Sequence, residues 1–294
     1  MGHDPVLATS VCELLVWHPD GLYIDGTVGC GMHARQILEC LGAEGTLWGF
    51  DWDEEMLSTA RLELNNDAHR VRLFHDPFSR VGERLEEEGV RAHGIFLDLG
   101  LNSAVLDSSE RGFRYRDADS PLDMRMDRRK TRTAADLLNK ATEPELATLF
   151  RDLGGVRRSG AVARAIVQAR ERAPLRVAGD LVTALRRGRG SRVDASELSR
   201  VYQALRVKIN EELEDLDRFL ETAADALVPS GRLLVLSYES VTDRRVKAMH
   251  TDPTKENPAS FRLLTRRVVR PEREEIRENP RARSAKLRAM ERTV

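Results

Sequence analysis

The chain contains no apolar run that approaches the ~20 residues a helix needs to span a bilayer. It also lacks the basic and apolar blocks of a secretory leader at Met1-Gly2-His3-Asp4-Pro5. Both absences argue against a helical membrane protein and point to the cytoplasm. Cysteine is scarce. Cys12, Cys30 and Cys40 are odd in number and have no metal-ligand spacing, which argues against a disulfide framework and predicts reduced thiols. No cluster of His, Cys and Asp has ligand spacing, so no metal is expected. Charge of one sign is not in excess either: the formal net charge is -1. Repeats and low-complexity segments are missing as well.

What is present is length and a core. The 294 residues, 41% of them hydrophobic, suffice for one large domain or a domain carrying an insertion. The charges, balanced overall, are segregated locally. Eleven arginines fall between Arg151 and Arg192 against Asp152, Glu171 and Asp180, whereas acids gather at residues 83–88 and 211–217. A single arginine of this kind usually coats a solvated helix face. A segment this lopsided favours an anionic partner.

The first hundred residues alternate short apolar runs with helical patterns, as in a parallel sheet flanked by helices. Strands are predicted at residues 22–24, 46–50, 71–74 and 94–97, with helices over 33–41 and from the second strand to about Leu64. Residues 107–132 read as loop, and helical spacing resumes from Ala134 to about Arg206. Pro144 falls in the first turn of one of these helices, with Thr142 as its cap. Arg187-Gly188-Arg189-Gly190-Ser191 reads as a flexible tip. One long amphipathic helix is expected from Glu197 to Leu227, ending at Pro229-Ser230-Gly231. A strand then follows over 232–237, and two more are expected at 263–269 and 285–290. The fold class is α/β: one sheet interrupted by an α-helical insertion, with parts at 1–106, 107–206 (substrate recognition) and 207–294.

In an open α/β sheet, ligands sit at the carboxyl ends of the strands. Asp25-Gly26-Thr27-Val28-Gly29-Cys30-Gly31 follows the first strand, where glycines let the backbone turn close to a ligand. Asp51 ends the second strand and is placed to accept ribose hydroxyls. His75-Asp76-Pro77-Phe78 follows the third strand and Asp98 the fourth. The dinucleotide pattern G-x-G-x-x-G is not met, because Ala34 stands in the last position. A carboxylate at Asp25 would repel a pyrophosphate but suits the ammonium of a methionine moiety. Several carboxylates together match S-adenosylmethionine, which carries both a sulfonium and an ammonium. Any one of these acids alone is equally well read as a strand-end cap.

With these residues in place, the chain resembles the MraW/RsmH family of Rossmann-like class I methyltransferases. The resemblance rests on His3-Asp4-Pro5-Val6-Leu7, Tyr23-Ile24-Asp25-Gly26-Thr27, Pro77-Phe78-Ser79 and Leu97-Asp98-Leu99-Gly100. It continues through Glu110-Arg111-Gly112-Phe113, Pro121-Leu122-Asp123-Met124-Arg125-Met126-Asp127, Gln203-Ala204-Leu205-Arg206 and Asn279-Pro280-Arg281-Ala282-Arg283-Ser284-Ala285-Lys286-Leu287-Arg288. It implies N(4)-methylation of a cytosine in 16S ribosomal RNA, S-adenosylmethionine as cofactor and the small-subunit RNA as partner, and leaves a homodimer open. It also implies cofactor contacts from Gly31, Met32, His33, Asp51, Phe78 and Asp98, which Asp25 and Gly29 join from the loop reading.

Candidates for holding the target amino group are Asp98, Asn102, Ser103 and Asp123. Candidates for stacking on or gripping RNA are Arg111, Phe113, Arg114, Tyr115, Arg125, Arg206 and Glu239. The chain departs from the family at Met32, Asn102, Val105, Asp194 and Glu239. Asn102, Asp194 and Glu239 leave open a different RNA base or another substrate. Met32 and Val105 leave open a non-catalytic ribosome assembly factor.

Overall fold

The computed structural model describes residues 5–100, 111–189, 193–251, 261–265 and 267–293. The chain forms two compact units: Met1–Gly100 with Leu213–Val294, and Leu101–Glu212.

The first unit is built on a seven-stranded sheet in the order β3-β2-β1-β4-β5-β7-β6. Its strands are β1 (Leu22–Asp25), β2 (Thr46–Phe50), β3 (Val71–Phe74), β4 (Ala92–Leu99), β5 (Leu227–Ser237), β6 (Phe261–Leu263) and β7 (Lys286–Arg292). The first five pair in parallel, and β7 runs antiparallel to both β5 and β6. Successive side chains on a strand point to opposite faces, and the core divides accordingly. Leu233 and Val235 of β5 join one apolar cluster with Ile24, Ile95 and Leu97. Leu234 and Leu236 join the other with Tyr23 and Phe96.

Helices cover both faces, as an apolar parallel sheet requires. α1 (Ala8–Leu15), α2 (Met32–Cys40) and α3 (Glu54–Glu63) supply Leu15, Ile37 and Leu57 to the second cluster. α4 (Val81–Glu87) supplies Val81 and Leu85 to the first.

The helical unit contains α5 (Ala134–Lys140), α6 (Glu143–Asp152), α7 (Ser159–Arg170), α8 (Ala178–Arg189) and α9 (Ala195–Asn210). Two of its helix starts carry reciprocal capping boxes: Thr133 with Asp136, and Thr142 with Glu145, the latter with Pro in the first turn. Asp194 caps α9 by accepting from the Glu197 amide at 2.7 Å.

The structure changes four expectations about local conformation. The long helix predicted from residue 197 is two helices, α9 and α10 (Glu212–Thr222), because Glu211 adopts a left-handed conformation with φ 58°. Pro229-Ser230-Gly231 does not end a helix. It lies within β5, where the pairing jumps from Ala92↔Leu227 to Gly94↔Arg232 and Ser230 takes φ 65°. Residues 187–189, expected as a flexible tip, continue α8. A Cβ on Gly188 would stand 2.9 Å from the Ala165 Cα, so glycine lets α8 lie close against α7. The chain order finishes with α11 (Ser240–Thr251) and α12 (Arg273–Glu278). β6 is shorter and earlier than predicted, and Val269 makes only an isolated bridge to Leu287.

Candidate active site at the strand ends

The parallel pairing of β2, β1 and β4 brings their carboxyl ends, and so Asp51, Asp25 and Asp98, to one edge of the sheet. Asp25 is fully buried. One oxygen accepts from the Thr27 amide at 3.1 Å, while Oδ2 is buried without a hydrogen-bond partner. Burial pushes its carboxyl up to about 7, and the nearby charges of Asp98 and Asp51 push in the same direction. Asp51 is gripped by two backbone amides, Gly29 to Oδ2 and Asp53 to Oδ1, both at 2.9 Å. Burial still raises it to about 6.

Asp98 is half-buried, and its Oδ1 has no hydrogen-bond partner. Burial raises its pKa, opposed by His33 and by the Tyr238 hydroxyl facing the carboxylate. Its backbone amide donates to the Thr27 hydroxyl at 2.6 Å, so Thr27 ties the β1 loop to the end of β4.

The loop after β1 is shaped by positive φ. Gly29 has φ 51°, and Gly31, the residue capping α2, has φ 90°, a conformation open to glycine but costly for other residues. Met32 and His33 then open α2. His33 Nε2 lies 3.0 Å from the Val6 carbonyl and Nδ1 3.8 Å from Asp98 Oδ2. The Leu7 amide donates to Glu275 of α12 at 2.8 Å, with Leu7 itself left-handed at φ 55°. Phe78 is buried, edge-on to Phe219 with ring centroids 5.8 Å apart, and 6.3 Å from Trp52. It is therefore a core ring beneath this edge.

The predicted cofactor residues Asp25, Gly29, Gly31, Met32, His33, Asp51, Phe78 and Asp98 thus all lie in one unit, at strand ends, in the segments that follow them or in the first turn of α2. The remaining candidates are placed differently. Asn102, Ser103 and Val105 lie outside the described residues. Asp123 and Arg125 are committed to each other, with Nε to Oδ1 at 2.7 Å and Nη2 to Oδ2 at 2.8 Å. Arg111 and Arg206, expected on an RNA-facing surface, are buried. Arg111 donates to the carbonyls of Arg125 and Met126, and Arg206 forms a two-point pair with Glu212 at 2.7 and 2.9 Å. Phe113 is buried too, and Tyr115 sits edge-on to Tyr202 at 5.5 Å. Arg114 is exposed. The Glu239 carbonyl accepts from Asp243 at the start of α11.

Sequence reasoning places Thr27 in the loop without a role of its own, and singles out neither Tyr238 nor Glu275 as part of this edge. Tyr238 follows directly on β5, so the strand-end rule that found Asp98 applies to it equally.

The chemistry of the edge is one-sided. It presents carboxylate acceptors, two of whose oxygens, Asp25 Oδ2 and Asp98 Oδ1, are buried without partners. Leaving such atoms unsatisfied costs about 1–3 kcal/mol each, so they fit a ligand that brings hydrogen-bond donors and positive charge. S-adenosylmethionine brings both, and the residues present fit it. Among the described residues, no group of three or more His, Cys, Asp or Glu side chains is arranged to hold a metal. None of the described helices is long and apolar enough to cross a membrane.

A parallel sheet with one reversed strand is a Rossmann-like framework, the acceptors at its carboxyl edge suit S-adenosylmethionine, and the class of protein is a methyltransferase. The family model of the MraW methylase family matches residues 1–293, and the chain belongs to that family. It is 42% identical over 291 residues to the ribosomal RNA small subunit methyltransferase H of Cyanothece sp., covering 99% of this chain and 94% of that one. The protein of the same name from Heliobacterium mobile is 40% identical, with 97% of each chain covered. Among solved structures, the chain is similar to an rRNA methylase from Streptococcus thermophilus, at 11% identity and TM-score 0.44, covering 98% of this chain and 94% of that one.

Proposed function

We propose that this chain methylates the exocyclic N(4) amino group of a cytosine in the RNA of the small ribosomal subunit, with S-adenosylmethionine as donor. The observation that carries the reading is near-full-length identity of about 40% to proteins named for methylating that RNA. The acceptor-lined strand edge supports it chemically.

When bound, S-adenosylmethionine supplies a methyl group already activated on a sulfonium, so the protein's task is alignment more than activation. Asp25 takes the ammonium of the methionine moiety. Asp51, held rigid by two amides, takes the ribose hydroxyls. Gly29 and Gly31 let the loop backbone approach, Met32 and His33 line it, and Phe78 supports the adenine side. Asp98 presents its unpaired oxygen to an N–H of the target amino group, fixing the nitrogen's orientation toward the methyl. Asn102 and Ser103 follow on the same chain segment as further polar partners.

A cytosine reaches such an edge only when unpaired or flipped out. Exposed arginines of the helical unit, Arg157 and Arg158 among them, suit the RNA phosphates.

The test is transfer of labelled methyl groups into purified small subunits lacking the modification, followed by digestion and mass spectrometry of the nucleosides. Label in N(4)-methylcytidine is the expected outcome. Label in another nucleoside would replace the target base, and no label despite cofactor binding would overturn the RNA substrate.

A further inference from the structure

His33 is held in a way that fixes its chemistry. A backbone carbonyl can only accept, so the 3.0 Å contact to Val6 requires that Nε2 keep its hydrogen in every protonation state. Nδ1 is then the one nitrogen free to gain or lose a proton, and it lies 3.8 Å from Asp98 Oδ2. Without a proton on Nδ1, a nitrogen lone pair faces a carboxylate. With one, the two form an ion pair. The orientation is braced from behind, because the Val6-Leu7 segment carrying that carbonyl is anchored by the Leu7 amide on Glu275.

Among the described residues, the groups around this pair are few. Asp25 faces Asp98 from β1, Tyr238 faces it from the end of β5, and Glu275 of α12 faces Tyr238. Asp51 acts on Asp25 from β2, and the Phe96 ring lies 4.8 Å from His33. His33 is the one side chain among these groups whose protonated form is a cation.

We propose that His33 is a positioning residue that holds a proton for Asp98: its Nδ1 releases the proton to solvent when the positively charged methyl donor binds and takes one up from the amine when methyl transfer removes that charge. The inference rests on the reading that Asp98 holds an N–H of the target amine beside the methyl donor. The step balances. The amine lone pair forms the new C–N bond, and the C–S bond breaks with its electron pair remaining on sulfur. One N–H proton of the amine then leaves, by way of Asp98, to Nδ1. The sulfonium charge is lost and the imidazolium charge appears, so the net charge of the edge is the same before and after.

S-adenosylmethionine and S-adenosylhomocysteine share the ammonium, carboxylate, ribose and adenine, and differ by the methyl group and its positive charge. The ratio of their affinities therefore cancels contacts to the shared groups and leaves the response of the site to the sulfonium, to which His33 and the nearby carboxylates both contribute; replacing the imidazole separates the two. Calorimetric titration of the full chain with each ligand from pH 8 to pH 6 reads that ratio. Uptake of one proton changes an affinity by at most about tenfold per pH unit. The donor is expected to weaken relative to the demethylated product by about threefold or more over this range. In His33→Gln, whose amide can still donate to Val6 but offers no ring nitrogen to a second proton, the ratio is expected to change less steeply with pH, leaving only the carboxylates' share.

A ratio independent of pH in the unaltered protein overturns the proposal, whether or not the variant folds. An unchanged slope in His33→Gln overturns the assignment to His33. Failure of both ligands to bind at any pH overturns the cofactor reading itself, and this inference with it.

Discussion

Asp25 at the end of β1 and Asp123 in the helical unit are the same side chain in opposite circumstances. Burial raises Asp25 to about 7 and leaves one oxygen unpartnered. Burial also acts to raise Asp123, but the hydrogen bonds and charge of Arg125 outweigh it and hold the carboxyl below its usual range. Asp136 follows Asp123, lowered to about 2 by the hydroxyl and amide of Thr133. The difference does not simply follow the two units. Asp243, in the same unit as Asp25, is buried enough to be raised yet is lowered by Arg288 and Lys286 at 2.7 and 3.2 Å. Asp215 of α10 also keeps a buried oxygen without a partner, but its other oxygen accepts from Arg218 at 3.0 Å; Asp25 and Asp98 have such an oxygen and, among the described residues, no arginine or lysine on the carboxylate. Carboxylates that hold the fold are neutralised within it, and those at the strand edge are left for something that arrives from outside.

Substitutions at the two kinds of site should separate them. Asp98→Asn keeps the shape but weakens the acceptor and should lower kcat by about 100-fold, with folding unaffected, as read by single-turnover methyl transfer beside thermal melting. Intact single-turnover rates would show that Asp98 serves only the cofactor or the fold.

Asp25→Asn should move stability and binding in opposite directions. A carboxyl whose folded value lies near 7, above its ordinary 3.8, favours the folded state when protonated, so that contribution is lost as pH rises from about 4 through 7. At pH 8 the substitution should stabilise the ligand-free protein by roughly 2 to 4 kcal/mol while weakening cofactor binding. Denaturant titration at pH 8 that finds the variant less stable would mean that Asp25 is a structural cap.

In the helical unit the sign reverses. Asp136 contributes stability above pH 4 that is lost as the pH falls toward 2. Thr142→Ala, which removes the cap of α6, should cost about 1 kcal/mol at neutral pH with no effect on cofactor affinity. A cofactor affinity that fell with the cap would erase the contrast between the two kinds of site.

Much of this was legible in the residues. The first four strands announce themselves by short apolar runs, and the acids that follow three of them identify the edge, since ligands in open α/β sheets bind there. The Thr142 cap and Pro144 were equally plain, because capping chemistry is local. What escaped was decided by tertiary contact. Glu211 is a good helix former, and nothing in its neighbours announces the left-handed turn that separates α9 from α10. Gly188 reads as part of a flexible tip because glycine serves both flexibility and close approach, and only the position of Ala165 distinguishes them. Arg111 and Arg206 were counted with a basic surface, but residue type cannot say that each guanidinium turns inward to a carbonyl or a carboxylate.

The bond from the Leu7 amide to Glu275 joins positions 268 residues apart. On the ribosome, Val6 and His33 emerge long before the helix that steadies them, and β5 gains its neighbour β7 later still. A nascent chain halted anywhere before Glu275 therefore carries a cofactor loop whose histidine lacks its final brace. Assembly of the edge waits on synthesis through Glu275, so products truncated before it should bind the cofactor poorly even where the helical unit has folded.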